Sequence, residues 1–229
     1  MAKNQQKEIP ADPAAGRVYQ IRPFGDSITM GYQGGYRADL LRNLPNKLPF
    51  QFVGGSIENS TWWMLQYGQG LHDGYSGYRI DELWAIAQQH RYSDIVLVHA
   101  GTNDILQGTD ASTTAQRLHY LIQLLLQQNH FSKIIVAKIL PIFNHGKENV
   151  VAEYNRLVPE VAGQFNNFGI YIDVVDMFTG ITPADLNPYD GVHPVASGYW
   201  KMADRWRMAI NMTPALAAMV VPDTNALPV

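Results

Sequence analysis

The sequence predicts an α/β fold, a three-layer α/β/α sandwich around a five-stranded parallel sheet. Two observations carry the prediction. Five short apolar runs alternate with amphipathic stretches at helical spacing, the order that builds a parallel sheet with helices on both faces. Two of the runs, DIVLVHA at 94–100 and KIIVAKIL at 133–140, are apolar and β-branched almost throughout, as central strands covered on both sides must be.

In chain order, strands are expected at 18–24, 50–53, 94–100, 133–140 and 169–175. Helices are expected between and after them at 36–44, 79–90, 113–128, 150–166 and 194–210. Within the third helix Leu118, Ile122, Leu125 and Leu126 recur on one face, which is the stripe a helix turns toward a core. Pro194 is expected in the first turn of the last helix, where the missing N–H removes no hydrogen bond. A chain of 229 residues is enough for one well-packed domain. That domain is expected at 18–211, between a flexible N-terminal segment at 1–17 and a C-terminal tail at 212–229 holding three prolines.

Composition narrows the function classes. Hydrophobic residues make up 46% and charged residues 16%, so a packed core is expected rather than disorder. A net charge of -3 argues against a nucleic-acid partner, which would call for a basic face. No run approaches the roughly 18 apolar residues of a membrane span. The polar start MAKNQQKEIPADPAAG lacks the apolar segment of a signal peptide, and a cytoplasmic or a processed secreted chain fits equally. The absence of cysteine removes disulfides, thiolate nucleophiles and cysteine-bound zinc together.

Three polar clusters lie where strands give way to loops. Ligands in open α/β sheets bind outside the carboxyl ends of the strands. The first strand runs into Phe24-Gly25-Asp26-Ser27-Ile28-Thr29, where a serine after a glycine turn can present its hydroxyl, and its N–H, to a crevice. The third runs into His99-Ala100-Gly101-Thr102-Asn103-Asp104. An asparagine amide there can donate to a developing oxyanion, a role worth roughly 3 kcal/mol. The last loop reads Asp190-Gly191-Val192-His193-Pro194. A three-residue spacing at a helix entry can set the Asp190 carboxylate on Nδ1 of His193 and leave Nε2 facing outward, the arrangement a general base requires. Each cluster alone also reads as an ordinary capped turn. The remaining histidines, His72, His90, His99, His119, His130 and His145, have no such partner in the sequence and read as surface or packing residues.

Together the clusters supply one nucleophile, one oxyanion donor and one base. In order and content they resemble the SGNH/GDSL hydrolases over roughly residues 20–210. The nearer resemblance is to carbohydrate esterase family three, the acetylxylan-esterase-like branch, through GDSITMGYQGGYRADL, FVGGS, HDGYSGYRIDEL, GTNDI and DGVHPVASGYWKMAD. The resemblance implies a flavodoxin-like sheet and an esterase acting through an acyl-enzyme, with Ser27 as nucleophile, His193 as general base and Asp190 orienting it. It also implies an oxyanion hole made by Asn103 and the N–H groups of Ser27 and Gly77, with Gly74 as the alternative glycine. The implied substrate is a short-chain, acetyl ester on a carbohydrate such as xylan, and no metal or organic cofactor is called for. Asp26 and Asp104 flank the catalytic positions and read as structural.

The aromatic segment 61–78 holds Trp62, Trp63, Tyr67, Tyr75 and Tyr78. Trp62, Trp63 and Tyr75 are candidates for substrate contact, since aromatic faces stack on sugar rings or line an acyl pocket; the alternative is that they pack a long loop. Other readings stand beside the carbohydrate esterase. A general carboxylesterase, lysophospholipase or thioesterase would use the same residues. A metal-dependent phosphoesterase would use Asp26, Asn103 and His193 as ligands, but lacks the dense second cluster of a two-metal site. A carbohydrate-binding protein without activity would keep only the scaffold.

Overall fold

The protein is described here from a computed structural model, over residues 18–44, 49–128 and 132–211. The expected segments 1–17 and 212–229, and His130, lie outside the described residues.

The sheet is built from β1 (Tyr19–Gly25), β2 (Phe50–Phe52), β3 (Asp73–Gly74), β4 (Ile95–His99), β5 (Lys133–Lys138) and β6 (Asp173–Asp176). All pairings are parallel, in the order β2-β1-β4-β5-β6, with the two-residue β3 joined to the carboxyl end of β1. Without β3 the order is that of the flavodoxin-like doubly wound sheet. β3 was not among the expected strands: two residues are too few to show any hydrophobic period.

The central strands alternate their side chains between two apolar layers. Val96, Val98, Ile134 and Val136 face one layer, which is closed by α4 (Ile80–Ala87), α6 (Ala111–Gln128) and α7 (Glu148–Gln164). Ile95, Leu97, Ile135 and Ala137 face the other, closed by α2 (Gly35–Asn43) and α8 (Ala196–Asn211). Both strand faces are thus dry, as the run of apolar residues in β4 and β5 requires.

Several expected boundaries move, and two of the shifts have a visible cause. The fifth strand starts at Asp173 rather than 169, because a 3-10 turn, Phe165–Phe168, extends α7 and ends on Gly169 at φ 72°. The last helix starts at Ala196, and Pro194 lies outside it, bridged to Leu186. That bridge holds the loop ahead of the helix in extended form, so the proline serves the loop and not the helix turn. Three short helices, α1 (Ser27–Met30), α3 (Trp62–Gln66) and α5 (Thr102–Leu106), are one turn each and leave no periodic signal. No helix among the described residues is long and apolar enough to cross a membrane.

Candidate active site

The strand order reverses between β1 and β4, and the loops leaving these two strands at their carboxyl ends carry Ser27 and Asn103. This is the crevice where an open α/β sheet binds ligands.

Asp26 caps α1, its Oδ1 accepting from the Ile28 N–H at 2.9 Å. The cap is buried, and burial pushes its carboxyl up to about 7 against the pull of the Ile28 N–H and of nearby His193. Ser27 follows as the first residue of α1, half-buried, where a helix leaves backbone N–H groups without intrahelical acceptors. Its Oγ lies 2.9 Å from Nε2 of His193. Nδ1 of His193 lies 3.0 Å from Oδ2 of Asp190. The other Asp190 oxygen, Oδ1, accepts from the Val192 and His193 N–H groups at 2.8 and 3.0 Å. Burial alone would raise the Asp190 carboxyl, but those two N–H groups and the His193 ring outweigh it and hold the group below its ordinary value. A carboxylate on Nδ1 leaves Nε2 unprotonated in the neutral ring, free to accept the serine proton.

Asn103 begins the second position of α5, and its Nδ2 donates to the Tyr78 carbonyl at 3.0 Å. Gln107, one turn on, donates to the Gly77 carbonyl at 3.2 Å. The 75–78 turn is therefore tied to α5. The two candidate glycines differ here. The Gly74 N–H is already donated to Nδ1 of His72 at 3.0 Å, and a Cβ at Gly74 would stand 2.4 Å from the Met30 nitrogen. Gly77 has φ 79° and nothing within 4 Å of such a Cβ. Asp104 points away from the crevice, its carboxylate taking the Ile80 N–H and the Arg117 guanidinium.

A groove of about 1100 Å³ opens over Ser27, Asp190 and His193. Trp62 and Trp63 line it together with Tyr32, Asn59, Arg42 and Asn187. Trp62 is 70% exposed; Trp63 is half-buried under the Arg42 guanidinium, 5.2 Å from its ring centre. Tyr75 is not part of the lining: its ring stacks on Tyr78 and its hydroxyl donates to Asp73. Arg37 fastens the groove wall from below. It is fully buried and donates to the carbonyls of Thr29, Met30 and Gly70 and to the Ser60 hydroxyl. Burial lowers its pKa to about 10, which leaves it charged at neutral pH.

Several of these residues carry no signal in the sequence. Asn59, Arg42 and Asn187 stand outside the three clusters and enter the site only through the fold. His145 belongs with them: its Nε2 is 2.7 Å from the Asp190 carbonyl. His72 and His99 are buried, and burial lowers both rings to about 4, consistent with packing. Among the described residues there is no group of three or more histidines and carboxylates placed to hold a metal ion.

Residues 24–201 match the GDSL-like lipase/acylhydrolase family. The chain is 33% identical over 224 residues to a multidomain esterase of Ruminococcus flavefaciens, an alignment covering 84% of this chain and 28% of that protein. Among solved structures, the Clostridium thermocellum family 3 carbohydrate esterase is 26% identical with a TM-score of 0.73, over 88% of this chain and all of that one. The family 3 carbohydrate esterase of Talaromyces cellulolyticus is 21% identical with a TM-score of 0.71, over 85% of this chain and 97% of its own, a likeness of fold. With most of its length matched, this chain belongs to the GDSL-like lipase/acylhydrolase family, a family of carboxylic ester hydrolases.

Proposed function

We propose that the chain is a serine esterase that releases short acyl groups, acetyl above all, from a carbohydrate alcohol. The observation that carries the chemistry is the hydrogen-bonded series Ser27 Oγ, His193 Nε2, His193 Nδ1, Asp190 Oδ2 on the wall of an open groove. Ser27 Oγ attacks the ester carbonyl as its proton passes to Nε2 of His193. The Asp190 carboxylate holds the ring and stabilises the imidazolium that forms. The N–H groups of Ser27 and Gly77 and the second Nδ2 hydrogen of Asn103 receive the oxyanion. Gly77 is preferred to Gly74 because the Gly74 N–H is committed to His72. The C–O bond then breaks, the alcohol leaves with the proton from His193, and water cleaves the acyl-enzyme by the same sequence.

The groove favours a sugar over a lipid as the alcohol. Its wall pairs aromatic faces, Trp62, Trp63 and Tyr32, with Asn59, Asp39, Arg42 and Asn187, the mixture of ring faces and polar side chains that suits a hydroxylated ring. Its volume far exceeds an acetyl group. The likeness to the Clostridium thermocellum enzyme points the same way.

Ser27→Ala tests the chemistry. It is expected to abolish release of p-nitrophenol from its acetate while melting like the parent; full activity in that variant would refute the assignment of the nucleophile. Rates on p-nitrophenyl esters of rising acyl length, then on acetylated xylo-oligosaccharides, test the substrate. A rate that climbs with acyl length and ignores the sugar would favour the lipid-ester reading.

A further inference from the structure

The residues assigned to the base sit on a loop with no strand beneath it. Asp190 and His193 follow the end of β6 at Asp176 by a long connection. Bonds inside the loop close it on itself: the Gly191 N–H donates to the Asn187 carbonyl, the Asn187 N–H donates to the His193 carbonyl, both at 2.7 Å, and Leu186 bridges Pro194. Such bonds set the shape of the loop, not its place relative to Ser27.

Leu186 and Val192 seat the loop in the two apolar layers, and two bonds from the segment after β5 tie the Asp190–Gly191 turn itself to an external reference. The Phe143 N–H donates to the Gly191 carbonyl at 2.9 Å, and Nε2 of His145 meets the Asp190 carbonyl at 2.7 Å. A backbone carbonyl only accepts, so Nε2 of His145 carries the proton in this bond. The segment itself is firmly seated. Ile139, Leu140 and Ile142 are buried, and the Asn155 amide on α7 bonds both the N–H and the carbonyl of Ile139. Between Phe143 and His145 the chain passes through Asn144 at φ 67°, a left-handed conformation that asparagine tolerates better than most residues.

We infer that His145 is a positioning residue for the esterase reaction: it acts through the Asp190 carbonyl to fix the turn that presents His193 to Ser27. The inference rests on the reading of Ser27, His193 and Asp190 given above. Of the two external bonds, that from Phe143 is made by backbone and depends on no side chain. The His145 bond depends on one exposed side chain. Without it the Asp190 end of the turn is tied only through its neighbours, Gly191 on Phe143 and Val192 in the core, and the Asp190–His193 pair is freer to shift relative to Ser27. His145 does not line the groove, so ground-state binding is untouched.

The test compares His145→Ala, His145→Gln and Asp190→Ala by kcat and KM on p-nitrophenyl acetate and by melting temperature. His145→Ala is expected to lower kcat roughly three- to tenfold, the worth of one such hydrogen bond, with KM unchanged and the melting temperature lower by about 6 °C at most. Glutamine sets an amide nitrogen where the ring carries Nε2, so His145→Gln is expected to recover most of the lost kcat. The inference is overturned if His145→Ala keeps the parent kcat, if His145→Gln is no better than alanine, or if the fall in kcat comes with a raised KM and a melting temperature lowered beyond that bound. Asp190→Ala separates the two levels. If it is crippled while His145→Ala is not, only the role of His145 fails; if Asp190→Ala is fully active, the reading beneath it fails.

Discussion

Replacing Gly74 with alanine would drive a methyl group into the backbone of the helix that carries Ser27. The added Cβ would stand 2.4 Å from the Met30 nitrogen, 2.9 Å from the Thr29 carbonyl carbon and 3.0 Å from the Asp26 carbonyl oxygen. Ordinary contact begins at 3.4 Å, so α1 and β3 must separate by about 1 Å, the difference between 3.4 and 2.4. All three obstacles are backbone, and none can swing aside. Overpacking of this kind destabilises by about 1–3 kcal/mol, which in a domain of this size lowers the melting temperature by about 2–4 °C per kcal/mol. A fall of about 4–8 °C is expected for the middle of that range. Displacing Ser27 by about 1 Å from His193 should also reduce kcat/KM by about a hundredfold. Thermal melts by circular dichroism and hydrolysis of p-nitrophenyl acetate measure both. Gly163→Ala is the control: it lies in α7 with nothing within 4 Å of its added Cβ, and it should hold or raise stability by up to about 1 kcal/mol. A Gly74→Ala variant that melts and turns over like the parent would show that contact with β3 does not set the position of α1.

Two further outcomes follow from the site. Asn103→Ala removes an amide hydrogen assigned to the oxyanion and should lower kcat by about 10²–10³ with little change in KM; a loss below tenfold in steady-state assays would take Asn103 out of the oxyanion hole. Asp26, held near 7 by burial, keeps in the folded chain a proton that the unfolded chain releases near its ordinary value of 3.8. Its contribution to stability is therefore full below pH 4 and is lost as pH rises through about 7. Asp26→Asn cannot ionise, so its melting temperature should gain on the parent between pH 4 and pH 7.5. A difference that stays flat across that range would mean Asp26 is not buried as a neutral acid.

The layered fold and the polar clusters were readable in the sequence because each rests on local chemistry. The β-branched runs at β4 and β5 have few alternatives to a covered strand, and Asp190 lies near enough to His193 in the chain for the pairing to be set by one turn. What was not readable depends on distant segments. The two residues of β3 pair only because β1 offers an edge at Gly25. Gly74 and Gly77 look alike in the chain, and only the third dimension commits one N–H to His72. Pro194 suits a helix start by propensity, yet the bridge to Leu186 uses it one step earlier. Tyr75 shares the aromatic run of Trp62 and Trp63 but turns inward, because Asp73 and Tyr78 offer it partners there. His145 reads as a surface residue, since nothing in its neighbourhood of sequence announces a carbonyl 45 residues away.

The way Arg37 grips its surroundings has a consequence for diversification. Three of its four partners are main-chain carbonyls, and the fourth is the hydroxyl of Ser60. The guanidinium therefore does not register which side chains the segment between Ser60 and Gly70 displays to the groove. Trp62 and Tyr67, both largely exposed, can be exchanged while the attachment to the helix of Ser27 persists. The outward-facing positions of this segment can thus be redrawn, while Met64 in the core and Gln69 on β2 keep its backbone where Arg37 holds it.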